Sequence, residues 1–318
     1  MKKFILFIFI FSLNFISHPI YGYYVAAVSD DSKLLAVAGT DKDINIYDLN
    51  QQKACKIFSN IHKLGIRDML FDSNNNLITS SSDKSIKVIN VESGDTIKEF
   101  LGHEDWVLAV GYIAQSNSLV SGSRDGTIRL WDYKSGELKS KITAFEGDVR
   151  TIIYVAEKNL IVVVSETGII DIFDSTSFKP LKKFSIKDVK ITSASYISGN
   201  SSLAIVTNKK KLLFYNIDDF KVLKEENLEH NFLSSVEVKS KNYIVFGNES
   251  GKVEVYNLSF SKVKSINVGK FKIHSIASDK FGNLYIPDKN GHIFKVDIDR
   301  GGSEVIFTPP DNKSKVTK

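Results

Sequence analysis

A chain of 318 residues, 42% hydrophobic and 25% charged, has the make-up of a folded globular protein, and 19 glycines with five prolines exclude a low-complexity chain. The net charge of +5 is too weak and too dispersed for an electrostatic nucleic-acid footprint, so no nucleic-acid partner is expected. Cys55 is the only cysteine, which excludes an intrachain disulfide and any site built on paired cysteines.

Residues 1–22 read as a secretory signal peptide. Lys2 and Lys3 precede an apolar run from Phe4 to Ile16, interrupted only by Ser12 and Asn14. Residues 17–22 then turn polar, and cleavage is expected between Gly22 and Tyr23. The apolar run is short for a bilayer span of about 20 residues, and no Cys follows it to mark a lipoprotein cut. No later segment is apolar enough to span, so a periplasmic or secreted protein with no membrane span after cleavage is expected. Loss of Lys2 and Lys3 lowers the net charge from +5 to +3.

From Tyr23 onward one pattern recurs. Short apolar strands end in Asp48, Asn90, Asp132, Asp174, Asn216, Asn257 and Asp297, with gaps of 42, 42, 42, 42, 41 and 40 residues. Each interval holds four strand-like segments. The clearest set is Trp106 to Tyr112, Ser118 to Ser123, Thr127 to Asp132 and Leu138 to Ile142, with Arg124-Asp125-Gly126 as a tight turn between the second and third. The third strands alternate apolar residues, and the opposite parity is apolar too, at Tyr47, Ile89, Trp131, Phe173, Tyr215 and Tyr256. Both faces of each small sheet must therefore pack on neighbours. The expected fold is all-β: a seven-bladed β-propeller with four antiparallel strands per blade, over residues 23–310, followed by a polar tail, 311–318. No spare N-terminal strand is available, so the ring is expected to close by packing blade on blade. Cys55 is expected in an outer strand as an inert, half-buried thiol.

The third repeat carries Gly102-His103 and then Ser121-Gly122-Ser123-Arg124-Asp125-Gly126-Thr127-Ile128-Arg129-Leu130-Trp131-Asp132. This resembles the WD40 family, whose repeats open near Gly-His and close at Trp-Asp. The resemblance implies a structural hydrogen-bond relay of His103, Asp125, Ser121 (or Ser123) and Trp131. The other repeats depart from it: Ile89, Phe173, Tyr215, Tyr256 and Val296 replace the Trp, and Gly-His is absent from most.

The six His residues are scattered, without metal-ligand spacing, and no nucleotide, haem or hydrolase motif is present; no metal, no cofactor and no catalytic residue is assigned. The repeat does place the residues at the mouth of the central channel. Just before the innermost strands stand Tyr24, Gly65, Trp106, Asp148, Lys190, Phe232 and Lys272. Two residues further on come Ala26, Arg67, Leu108, Arg150, Thr192, Ser234 and His274. Large aromatics beside arginine suit a protein interface, and converging carboxylates are lacking. Trp106, Arg150, Arg67, Phe232, Lys190 and Lys272 are the candidate partner-binding residues. The expected function is an exported, non-catalytic protein-interaction or assembly module. In length, export and repeat type the chain is similar to the exported propeller accessory proteins of bacterial periplasmic nitrate reductase clusters, which implies an accessory role for a periplasmic redox enzyme. The alternative is a propeller enzyme, a lactonase-like hydrolase or lyase, with its site at the channel mouth.

Overall fold

The computed structural model describes residues 23–40, 42–143 and 147–308; the expected signal peptide and polar tail lie outside them. Seven sheets form, each of four antiparallel strands taken consecutively from the chain. The inner strands are Tyr23–Val28, Ile66–Phe71, Val107–Ile113, Val149–Val155, Ile191–Ile197, Phe232–Val238 and Ala277–Ser278. The last is the shortest. In its sheet Ala277 faces Tyr285, which puts Pro287 opposite residue 275, and Pro287 has no N–H to continue the ladder.

The regular Asp and Asn endings have a local cause. Each accepts two backbone N–H groups from the turn that follows, as an Asx turn. Asp48 takes those of Asn50 and Gln51, both at 2.8 Å, and Asn90 those of Glu92 and Ser93, both at 2.9 Å. Asp132, Asp174, Asn216, Asn257 and Asp297 repeat the arrangement. The chain must reverse here to start the outer strand, and a short side-chain acceptor satisfies turn donors that no strand can reach.

The core is divided among the joints. Each of the seven apolar clusters draws its residues from two adjacent blades. Tyr47, Ile89, Trp131, Phe173, Tyr215 and Tyr256 are all buried, as the two-faced alternation requires. The ring closes as expected, by blade-on-blade packing without strand sharing: Leu35, Val37 and Tyr47 of blade 1 pack on Ala277, Tyr285 and Phe307 of blade 7. The Tyr47 and Phe307 rings lie 4.3 Å apart, and the Ala26 N–H donates to Ser275 Oγ at 3.0 Å.

Polar side chains also cross the joints. In the middle of an outer strand, a lysine reaches over the next blade and donates to carbonyls of its last turn. Lys56 reaches Val91 and Glu92, Lys98 reaches Tyr133, and Lys182 reaches Asp218. Lys224 reaches Phe260, and Lys264 reaches Ile298 and Asp299. Ser140 and Glu304 hold the equivalent register positions in blades 3 and 7. Cys55 does lie in an outer strand, Lys53–Phe58, but it is exposed rather than half-buried. Its neighbours on that strand, Ala54 and Lys56, show why: the outer strand has no further sheet covering it.

Candidate functional site

The relay inferred from the family pattern is present in blade 3. His103 Nε2 lies 2.8 Å from Ser121 Oγ, Trp131 Nε1 donates to the same hydroxyl at 2.8 Å, and His103 Nδ1 sits 2.9 Å from Asp125. Ser123 is not part of it; its hydroxyl donates to the Asp105 carbonyl at 3.1 Å. Burial works to raise the Asp125 carboxyl, but hydrogen bonds from His103 and Thr127 outweigh it and hold the group well below the usual range. Burial pushes the His103 imidazole down, partly offset by Asp125. Sequence reading missed a second relay in blade 2, where His62 pairs with Asp83 at 3.0 Å and with Thr79 Oγ1 at 2.9 Å. Asn60-Ile61 precedes this His in place of Leu-Gly, and Ile89 replaces the Trp, so the motif is absent while the geometry survives. The legible signal was spacing: His62 precedes Asp83 by 21 residues and His103 precedes Asp125 by 22. Each relay pairs polar groups inside a blade and closes a turn, a structural task.

At the other candidate site, the inner strands begin around a central channel whose cavity measures about 560 Å³. Arg67, Leu108, Arg150 and His274 line it, as the repeat-phased reading placed them. Register explains why arginines can point there. Arg67 and Arg150 occupy the irregular position of their strands, the residue skipped in pairing between Ile66 and Asp68 and between Val149 and Thr151. A bulge re-aims the side chain away from the blade interior.

Around the mouth the side chains form a connected series across blades 2 to 5. The Arg67 guanidinium lies 4.3 Å from the centroid of the half-buried Trp106 ring, and that of Arg124 lies 4.9 Å from it. Arg124 approaches Asp105 at 4.0 Å and Asp148 at 3.9 Å. Arg150 bridges Asp148 at 3.3 Å and Glu166 at 3.2 Å, and Lys190 completes the series on Glu166 at 3.0 Å. Burial raises the Glu166 carboxyl, but Lys190 and Arg150 more than offset it and leave the group below its ordinary value. Arg67 is pulled below its ordinary value by desolvation first, and then by the like charges of Arg150 and Arg124. Arg67 therefore sits within the field of the other two arginines at the mouth.

Of the six expected partner-binding residues, the structure gathers Trp106, Arg67, Arg150 and Lys190. Lys272 is exposed but stands apart, where its charge acts on Glu249 and His274. Phe232 is a correction: only 3% exposed, it stacks on Phe246 at 5.1 Å in the joint between blades 5 and 6. The cause is register. In blades 2 to 6 the first turn residue after the second strand donates its N–H to the residue before the inner strand, at Gly65, Trp106, Asp148, Lys190 and Asn231. Asn231, not Phe232, is the blade 6 member, because that interval is one residue short, and a one-residue slip turns a side chain inward. Ser234 is one register position off but still lines the channel, as expected; its side chain is buried and donates to the Ile273 carbonyl at 3.0 Å.

The same turn residues are what sequence reading overlooked. Ser82, Arg124, Glu166, Asn208 and Glu249 recur at gaps of 42, 42, 42 and 41, and bring Arg124 and Glu166 to the mouth. Deeper in, Asp68 accepts the N–H groups of Met69 at 2.9 Å and Val110 at 3.0 Å, and burial pushes its carboxyl up to about 6. Glu237 is held by the Ser198 N–H and hydroxyl at 2.6 and 2.7 Å. Among the described residues no group of three or more His, Cys, Asp or Glu lies close enough to hold a metal ion. Among them, too, no helix is long and apolar enough to cross a membrane.

Comparison with known proteins agrees with this geometry. The model of the family described as "WD domain, G-beta repeat" matches residues 54–90 and 94–132, the regions of the two relays. Over 85 residues the chain is 36% identical to "Telomerase protein component 1" of Rattus norvegicus and 33% identical to that of Mus musculus. The matched stretch is 26% of this chain and only 3% of either relative. With seven four-stranded blades around one channel the chain is a seven-bladed β-propeller, and the two blades that carry the His–Asp relays are those that match the WD40 repeat.

Proposed function

We propose that this propeller is an exported protein-interaction or assembly module, and that the channel mouth of blades 2 to 5 is its contact surface. One observation carries the reading: Arg67, Trp106, Arg124, Asp148, Arg150, Glu166 and Lys190 form a connected, solvent-facing series of aromatic and charged groups. Trp and Arg are the side chains that most often dominate protein interfaces. Propellers of this repeat family generally bind protein partners, and the two matched repeats supply two of the four blades that build this rim. Export rests on the basic and apolar leader at 1–22. A finer assignment, an accessory factor for a periplasmic redox enzyme such as nitrate reductase, rests on chain length, leader and repeat type alone.

The test is crosslinking and affinity capture from the native cell envelope, with the wild-type chain and a Trp106→Ala/Arg150→Ala double variant. Partners recovered by the wild type and lost by the variant support the rim. Equal recovery by both refutes it. Recovery of a redox enzyme among the rim-dependent partners would carry the finer assignment.

A further inference from the structure

The rim holds more positive charge than its own acids answer. Arg150 and Lys190 are paired with Asp148 and Glu166, and Arg124 leans on Asp105 and Asp148. Arg67 differs from them: among the described residues no ion pair forms on it, and its Nε donates to Ser82 Oγ at 2.6 Å. That bond fixes the inner edge of the guanidinium and leaves its two terminal nitrogens as a fork. The guanidinium also lies over the Trp106 ring, 4.3 Å from its centroid. A fixed, planar, unanswered fork at a channel entrance is built for a bidentate anion.

Resting on the interaction reading above, we propose that the mouth receives a carboxylate from an acidic segment of a protein partner, gripped end-on by Arg67 beside Trp106. Charge complementarity selects this occupant over a nucleic acid. Asp105, Asp148 and Glu166 alternate with the arginines and would repel a continuous phosphate backbone, whereas a single carboxylate needs only the Arg67 fork, since the nearby Asp68 is occupied by the Met69 and Val110 N–H groups. Two guanidinium groups already lie over the Trp106 ring, at 4.3 and 4.9 Å, which leaves it a poor platform for stacking bases. Arg124 and Arg150 set the sign of the field over the entrance and steer an acidic segment toward it.

The chain carries its own reporter. It has two tryptophans, and Trp131 is buried at 2% exposure, so changes at the mouth are read by Trp106. The purified full chain is titrated at low salt with a Glu-Gly repeat peptide, with the matching Gln-Gly peptide, and with oligothymidylate, following tryptophan emission. A saturable change is expected with the Glu peptide alone. Arg67→Ala should weaken it about ten-fold or more, Arg67→Lys should retain part of it, and Arg300→Ala, in the last turn of blade 7, should leave it unchanged. Matching thermal melts of wild type and Arg67→Lys guard against a folding artefact. Equal binding of the Gln peptide, indifference to Arg67→Ala, or tighter binding of oligothymidylate would overturn the proposal. If rim-dependent capture persists while the Glu peptide fails to bind, only the carboxylate assignment falls. Capture indifferent to the rim removes the interaction reading itself.

Discussion

Replacing Asp68 by Asn should stabilise the protein at neutral pH. The Asp68 carboxyl sits in the channel wall, where desolvation lifts it from 3.8 to about 6 against two backbone hydrogen bonds. Its folded value therefore lies above its unfolded value. The contribution is favourable below about pH 4, is lost as pH rises toward 6, and stays lost above. At 1.36 kcal/mol per pKa unit the ceiling is about 3 kcal/mol. The side chain still borders the channel, which reduces that figure. Asn also keeps only one of the two acceptors that serve Met69 and Val110, a loss of about 1 kcal/mol. A net gain of about 1 kcal/mol at pH 7.5 remains, or a rise of about 2 °C in Tm for a domain of this size. Urea unfolding of both proteins from pH 4 to 7.5, followed by circular dichroism, tests this. The Asn variant should be ahead at pH 7.5 and level or behind at pH 4. A variant equally destabilised at both ends of the range would refute the reasoning, because the carboxylate would then be favoured as a charge.

Three further outcomes follow from the geometry. His103→Ala strands Asp125 and Ser121 and should cost about 2 to 3 kcal/mol by urea unfolding; a loss below that of a typical surface substitution would remove the relay from the stabilising groups. Asp83 and Asp125 are both held low, so their contribution is present above about pH 4 and fades as pH falls through their folded values; the acid limb of the wild-type stability profile should flatten when either is replaced by Asn. Gly122→Ala would set a Cβ 2.4 Å from Val149 Cγ1 across the joint between blades 3 and 4, and should lower stability by about 1 to 3 kcal/mol; an unchanged melting temperature would show that this joint yields.

How much of this was legible differs between fold and site. Asp and Asn endings counted the blades because a turn that needs a side-chain acceptor recurs wherever the chain reverses into an outer strand. Burial on both faces could be read from Tyr47 to Tyr256 because each blade has two neighbours. The mouth was legible only where the period held. Trp106 and Arg150 follow the 42-residue phase, but the interval into blade 6 is 41 residues and ends at Asn231, so Phe232, one residue past it, turned inward. Arg124 and Glu166 lie in turns, which periodic hydrophobicity does not mark. The relay at His62 lacked the Gly and Trp that make the motif visible, although its polar geometry does not depend on them.

The lysines that reach across the joints make the seven joints unequal. They bind blade 1 to 2 and 2 to 3, and again 4 to 5, 5 to 6 and 6 to 7. Ser140 and Glu304 leave the joints from 3 to 4 and from 7 to 1 without that brace. The joints braced in this way form two arcs, blades 1 to 3 and blades 4 to 7. Of the two joints between the arcs, the one from blade 7 to blade 1 is crossed by Lys280, which donates to the Asp31 carbonyl at 3.1 Å, and the other runs through the channel mouth. Arg67, Trp106 and Arg124 ride on the first arc, and Asp148, Arg150, Glu166 and Lys190 on the second. A partner that touches both groups therefore bridges the two arcs, whereas a carboxylate held by Arg67 beside Trp106 rests on the first arc alone.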